Sequence, residues 1–146
     1  MCISPSPHAA WTPLTSTDKI VQTACPCGAA ATYAACCGRY IDGDAAAPTV
    51  LELMRSRYSA HVLDKSAYLL ATWHPSTRPS GLTFEMPKPR WLGLDIRATT
   101  QQDDRHAGVE FVARFKIGGR AQRLHESSRF VLENGRWLYL NGDSIA

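Results

Sequence analysis

Between Pro48 and Leu140 the hydrophobic period changes once, and that change divides the chain. Leu51, Met54, Tyr58 and Val62 recur three and four residues apart, which puts them on one face of a helix. Thr49 and Glu52 form the T-x-x-E pattern of a capping box, and Pro48 cannot extend a helix backward, so the helix is expected to start there. Arg55 and Arg57 fall off the apolar stripe. A second helix is expected from near Asp64–Ser66 through Tyr68, Leu69 and Trp73. Pro75 ends it, because the residue before a proline is driven out of the helical region. From Arg90 the period becomes two. Trp91–Thr100, Gly108–Ile117, Gln122–Leu132 and Arg136–Leu140 read as four strands. Gly118-Gly119 and Asn134-Gly135 tolerate positive φ and mark tight hairpins, with Gln101–Ala107 as the third connection. Helices followed by a meander predict an α+β fold, with the helices packed on one face of a curved antiparallel sheet.

The flanks and connections have a different texture. Residues 1–24 carry three prolines, several Ser and Thr, and little periodicity, so they read as a flexible N-terminal tail in which Trp11 is the odd residue. The start, MCISPSPHAAWTPLTS, has neither a basic opening nor an apolar core and does not read as a signal peptide. No apolar run approaches the ~20 residues that span a bilayer. The expectation is a cytoplasmic protein without a membrane span. Residues 75–89 hold Pro75, Pro79, Pro87 and Pro89 and predict a long loop with a short helical turn around Thr83–Met86. Loops of this length are often lids or contact surfaces.

The candidate chemistry lies between the tail and the first helix. Cys25, Cys27, Cys36 and Cys37 are four of the five cysteines and are spaced C-x-C-x8-C-C. Two cysteines flanking Pro26, with Gly28 allowing a sharp exit, can point at one ion. The alanine-rich run 29–35 can make a helical turn that returns Cys36 and Cys37 to the same point. Disulfides are the alternative, but they suit a secreted protein, and a vicinal Cys36–Cys37 bridge would be strained. A redox dithiol would be expected as C-x-x-C. Thiolate donors in fours favour zinc in a closed, structural site. With such a site the formal charge of +3 falls to about +1. Twelve Arg and four Lys are scattered along the chain, and so weak a field does not point to nucleic acid.

The cysteine spacing resembles the SEC-C motif, the small zinc-binding element at the C-terminus of the SecA translocation motor, where it contacts the SecB chaperone. Over most of its length the chain resembles the YchJ-like family of bacterial proteins. The matching pieces are CPCGAAATYAACCGRYIDG, APTVLELMRSRYSAHVLDKSAYLLATWHPSTRP, WLGLDI, FVARF and HESSRFVLENGRWLYLNGD. The resemblance implies a flexible tail at 1–24, a SEC-C-like zinc element at 25–43 and a nuclear-transport-factor-like α+β domain, a cystatin-like cone, at 44–146. Cys25, Cys27, Cys36 and Cys37 would be the ligands. The family often has serine where Ala29 stands, and many members end in a second SEC-C element that this sequence lacks. The implied function is a zinc-binding protein that contacts a protein partner through the zinc element.

The alternative is a small-molecule site or an isomerase- or dehydratase-like enzyme in the cone. Alternation places Phe111, Ala113, Phe115 and Ile117 on one face of the second strand, and Leu124, Glu126, Ser128, Phe130 and Leu132 on one face of the third. Glu126 sits in an apolar row and needs a partner; Arg114, Arg129 and His74 are the candidates, if bulges re-aim the arginines. The expected pocket is Trp73, His74, Trp91, Glu126 and Tyr139, with His74 as acid or base polarised by Glu126. The plainer reading makes Glu126 a structural ion pair, His74 a helix cap and the tryptophans core. His61 is expected to be packed; His8, His106 and His125 are expected at the surface.

Overall fold

The computed structural model describes residues 23–82 and 88–145. The expected tail and the helical turn at 83–86 lie outside the described residues, apart from the tail's last two positions. Among the described residues, three helices precede four strands: α1 (Gly38–Ile41), α2 (Val50–Val62), α3 (Ser66–Ala71), then β1 (Arg90–Gln101), β2 (His106–Ile117), β3 (Arg120–Glu133) and β4 (Arg136–Ser144). The strands form one antiparallel meander in the order β1-β2-β3-β4. The fold is α+β, as the change of period predicts. No helix among the described residues is long and apolar enough to cross a membrane.

Local chemistry sets most boundaries. The Thr49 hydroxyl accepts from the Glu52 amide at 3.2 Å, so α2 starts where the capping pattern put it. Gly118, Gly119, Asn134 and Gly135 all take positive φ at the two tight hairpins. Bulges break the register between Trp91 and Gly93, between Ile96 and Ala98, and between Arg129 and Phe130; each bends its strand.

One expectation fails for a tertiary reason. The second helix stops at Ala71, and Trp73 instead bridges Tyr139 of β4. The Tyr139 amide donates to Thr72 O, and the His74 amide donates to Tyr139 O, both at 2.8 Å. The 29–35 run ends in turns, closed by hydrogen bonds from Ala35 N to Thr32 O and from Cys36 N to Tyr33 O at 3.1 Å each, which return Cys36 and Cys37 as expected; regular helix begins at Gly38.

The core is continuous across the whole described chain. Cys25, Cys27, Tyr33, Cys37 and Tyr40 belong to one apolar cluster with Leu53, Met54, Tyr58, Phe111, Ala113 and Phe130. Phe111 pairs with Glu126 and Ala113 with Leu124, so the apolar rows of β2 and β3 share the sheet face on which α2 lies.

Candidate metal centre and cavity

The four cysteines converge. All four Sγ atoms lie within 4.8 Å of one another. Cys25, Cys27 and Cys37 are buried and Cys36 is partly exposed. Their backbone is held from several sides. Cys25 N donates to Ala31 O at 2.9 Å, and Gly28, at φ +87°, closes the Cys25–Gly28 turn by donating to Cys25 O. Gly38 N donates to Tyr33 O at 2.8 Å and brings the second cysteine pair back.

The set fits a metal. Bonds of about 2.3 Å from four sulfurs to one ion put the sulfurs about 3.8 Å apart. Cys27 and Cys36 are separated by 3.6 Å, and Cys36 and Cys37 by 4.0 Å. These distances are far longer than a disulfide bond of about 2.05 Å, and the thiols are free. Electrostatics point the same way. Thiols of Cys27 and Cys37 donate to Cys25 and hold its pKa far below the ordinary value. Cys37 is pushed far up, mainly because its own proton serves Cys25 and Cys27. Burial and the neighbouring sulfurs push Cys36 up to about 11. Without a cation the cluster therefore resists full ionisation, and a divalent ion is what lets four thiolates coexist. Arg39 Nε donates to Cys36 O at 3.0 Å and Arg55 Nη1 to Cys27 O at 2.9 Å, so two further cations flank the sulfurs. Cys25 Sγ also touches Ser59 Oγ at 3.5 Å, which ties the element to α2.

A second feature is a cavity of about 240 Å³ between α2 and the sheet. Four of the five residues expected in a pocket line it: Trp73, Trp91, Glu126 and Tyr139. His74 does not. Its Nδ1 accepts from the Ser76 amide at 3.0 Å, so the proton sits on Nε2, which donates to Glu133 at 2.6 Å. The expected His74–Glu126 pair is not formed, because the Trp73–Tyr139 bridge fixes the backbone on either side of it. Neither arginine expected to reach Glu126 does so: Arg129 binds Asn141 and Asp143, and Arg114 is exposed opposite Arg123.

The cation that faces Glu126 is Arg57, which sequence reasoning set aside. It is only 5 % exposed. Its guanidinium lies 4.6 Å from the Tyr139 ring centre and 5.2 Å from that of Trp73. Met54, Arg57, Tyr58 and His61 follow the three-four spacing of a helix face, but the apolar stripe Leu51, Met54, Tyr58 and Val62 is centred to one side of it and leaves Arg57 off. Burial pushes the Glu126 carboxyl up and Tyr139 up to about 12, and Tyr139 Oη donates to Glu126 Oε1 at 3.3 Å. His61 is packed as expected, 5.9 Å from Trp91, and burial with the nearby Arg57 charge lowers it to about 4. His106 is exposed beside Asp103, as expected; His125 is half-buried against Glu110, and His8 lies outside the described residues.

A meander with helices on one face and a four-thiol element in front defines a class: a nuclear-transport-factor-like domain joined to a SEC-C motif. Residues 23–39 match the SEC-C motif, and residues 49–142 match the middle NTF2-like domain of YchJ. The chain belongs to the YchJ-like family, whose curated relatives carry the name UPF0225. It is 57% identical to the UPF0225 protein of Ralstonia nicotianae, with 82% of this chain and 90% of the relative covered. The relative from Cupriavidus pinatubonensis is 55% identical, covering 87% and 92%. Among solved structures, it is similar to a SEC-C motif containing protein from Rhodopseudomonas palustris, at TM-score 0.73 and 32% identity, over 84% of this chain and 98% of that one. A SEC-C motif containing protein from Psychrobacter arcticus gives TM-score 0.72 at 30% identity, covering 88% and 86%.

Proposed function

We propose that this is a cytoplasmic zinc-binding protein in which Cys25, Cys27, Cys36 and Cys37 hold a structural zinc ion and the zinc element contacts a protein partner. The observation that supports it is the asymmetry of the cysteine cluster. Cys25, Cys27 and Cys37 are buried, and the partly exposed Cys36 opens on a shallow groove of about 350 Å³ lined by Ala29, Ala31, Ala35 and Leu51, with Arg39, Arg55 and Glu52 beside it. Four thiolates fill a tetrahedral zinc ion's coordination, so the ion supports a surface and does not activate water. Arginine is enriched at protein contacts, and Arg39 and Arg55 edge this groove.

Metal analysis of the purified chain tests the first half. Zinc near one per chain, without the colour of a four-sulfur iron site, is expected; loss of metal on mild gel filtration defeats it. For the second half, Ala30→Glu and Ala35→Glu place charge at the groove without touching a ligand. A partner retained by the wild-type chain should be lost by these variants at unchanged zinc content. Equal retention would remove the groove as the contact surface.

A second reading is a small-molecule site in the cavity beneath α2, favoured by the buried Arg57 that projects into it. An acid–base reaction through His74 has no support, since that ring is committed to Glu133.

A further inference from the structure

We propose that the cavity between α2 and the sheet binds a small organic anion, a carboxylate on an apolar or aromatic body, with Arg57 as its anchor. The inference rests on the second reading above and names the ligand class that it leaves open.

Among the described residues, Arg57 is a buried cation with no anion paired to it. Burial lowers its pKa only to about 10, so it stays protonated at neutral pH. Among the described residues no carboxylate lies within ion-pair distance of it. Its hydrogen bonds are to neutral acceptors and all leave from one nitrogen: Nη1 donates to Leu69 O at 2.8 Å and to Thr72 Oγ1 at 2.6 Å. Nε and Nη2 make no hydrogen bond among the described residues, and they are not sealed in the core, because Arg57 lines the cavity. A buried charge left in this state is costly, and a carboxylate matches its free donors.

The surroundings fix the guanidinium and shape the rest. Trp73 and Tyr139 stand edge to face with ring centres 5.1 Å apart, and the Arg57 guanidinium lies over both rings, so the pair holds it from one side and leaves its other side toward the cavity. Met54, Trp91, Phe111 and Leu124 supply apolar wall. The Ser128 hydroxyl, on a residue 1 % exposed, also has no hydrogen-bond partner among the described residues and belongs to the same lining. The volume, about 240 Å³, lies just below the roughly 300–1,000 Å³ of typical ligand pockets and suits a molecule the size of benzoate.

Glu126 is the opposing consideration. It lines the cavity and is felt electrostatically by Arg57, yet it bonds to Tyr139 and stops short of an ion pair. An ionised Glu126 repels a ligand carboxylate; a protonated one donates to it. Glu126→Gln should therefore keep or tighten carboxylate binding.

The test uses the full, zinc-loaded chain and nuclear magnetic resonance titration with benzoate, phenylacetate and hexanoate, each beside its amide. The indole N–H signals of Trp73 and Trp91 report on the cavity. The carboxylates should shift both signals saturably, and the matching amides should bind about tenfold or more weakly. Arg57→Gln, checked for folding, should abolish the discrimination. Carboxylates and amides binding equally well would overturn the anion inference while leaving a ligand cavity. If neither series shifts these signals up to about 10 mM, the ligand reading and the inference both fall. The wild-type comparison needs no variant, so misfolding of Arg57→Gln would not protect the proposal.

Discussion

Replacing Cys37 by serine is the sharpest perturbation of the cysteine cluster. Cys37 is 1 % exposed, lies 4.0 Å from Cys36 at its sulfur, and belongs to the main apolar cluster. Serine keeps the shape but does not ionise at neutral pH, so a four-thiolate site becomes three thiolates and an open position. Structural zinc sites contribute about 10–16 kcal/mol of apparent binding at neutral pH. A quarter of that is about 2.5–4 kcal/mol, or roughly 60- to 700-fold in affinity. The effect should spread into the domain, because Tyr33 and Tyr40 are buried in the same cluster as Leu53 and Phe130. Releasing two such side chains removes about 3–6 kcal/mol of burial. Chelator competition should give the affinity loss, and urea unfolding with and without chelator should give the stability loss. In the zinc-loaded wild type, four of the five thiols should resist a thiol reagent until metal is withdrawn. The reasoning is refuted if all five react promptly in metal-replete protein. It is equally refuted if Cys37→Ser holds zinc as tightly as wild type.

Three further outcomes follow from single contacts. A Cβ on Gly38 would meet Tyr33 O at 2.8 Å and the Tyr33 ring at 2.9 Å, so Gly38→Ala should cost about 1–3 kcal/mol in urea unfolding and loosen zinc. Thr49→Ala removes the cap on the Glu52 amide and should lower stability by about 1 kcal/mol; Thr49→Ser should restore most of it. His61, facing Arg57, Tyr58 and Trp91, has its folded pKa depressed from 6.5 to about 4, so the unfolded state takes up its proton first. Stability should fall by about 3 kcal/mol as pH drops from near 6.5 to near 4. His61→Phe should flatten that part of the slope, while acid release of zinc remains common to both proteins.

Features governed by neighbours in sequence were legible in it. The capping box, the glycine hairpins, the strand faces and the cysteine spacing all state their chemistry within a few residues, and each stands where it was expected. Features decided by distant partners were not. Nothing local says that Tyr139 will hold the backbone on both sides of Trp73, so helix α3 was drawn too long and His74 was aimed at the wrong carboxylate. Arg57 was a further case. It falls off the apolar stripe of its helix, and a charged residue on a buried face contradicts the usual polarity rule. Such contradictions concentrate where a protein binds something.

Helix α2 is the wall that the two sites share. Arg55 and Ser59, four residues apart, face the cysteine element and touch Cys27 O and Cys25 Sγ. Met54, Arg57, Tyr58 and His61 lie about 130° round the same helix and face the cavity. Leu53, Ser56 and Ala60 form a buried row about 115° round from each of these faces, and close packing there leaves little room for the helix to shift. Ser56 makes this concrete. Its hydroxyl donates to Leu53 O at 2.8 Å and sits 2.7 Å from the Tyr68 hydroxyl, so α2 is keyed to α3 in one register. The carbonyl of Leu69 on α3, and Thr72 just beyond it, then position the Arg57 guanidinium. The chain of contacts from sulfur to guanidinium is therefore continuous through one helix and its neighbour. An ion gripped by the cysteines would steady the outer side of α2, and through that helix the wall on which Arg57 is mounted.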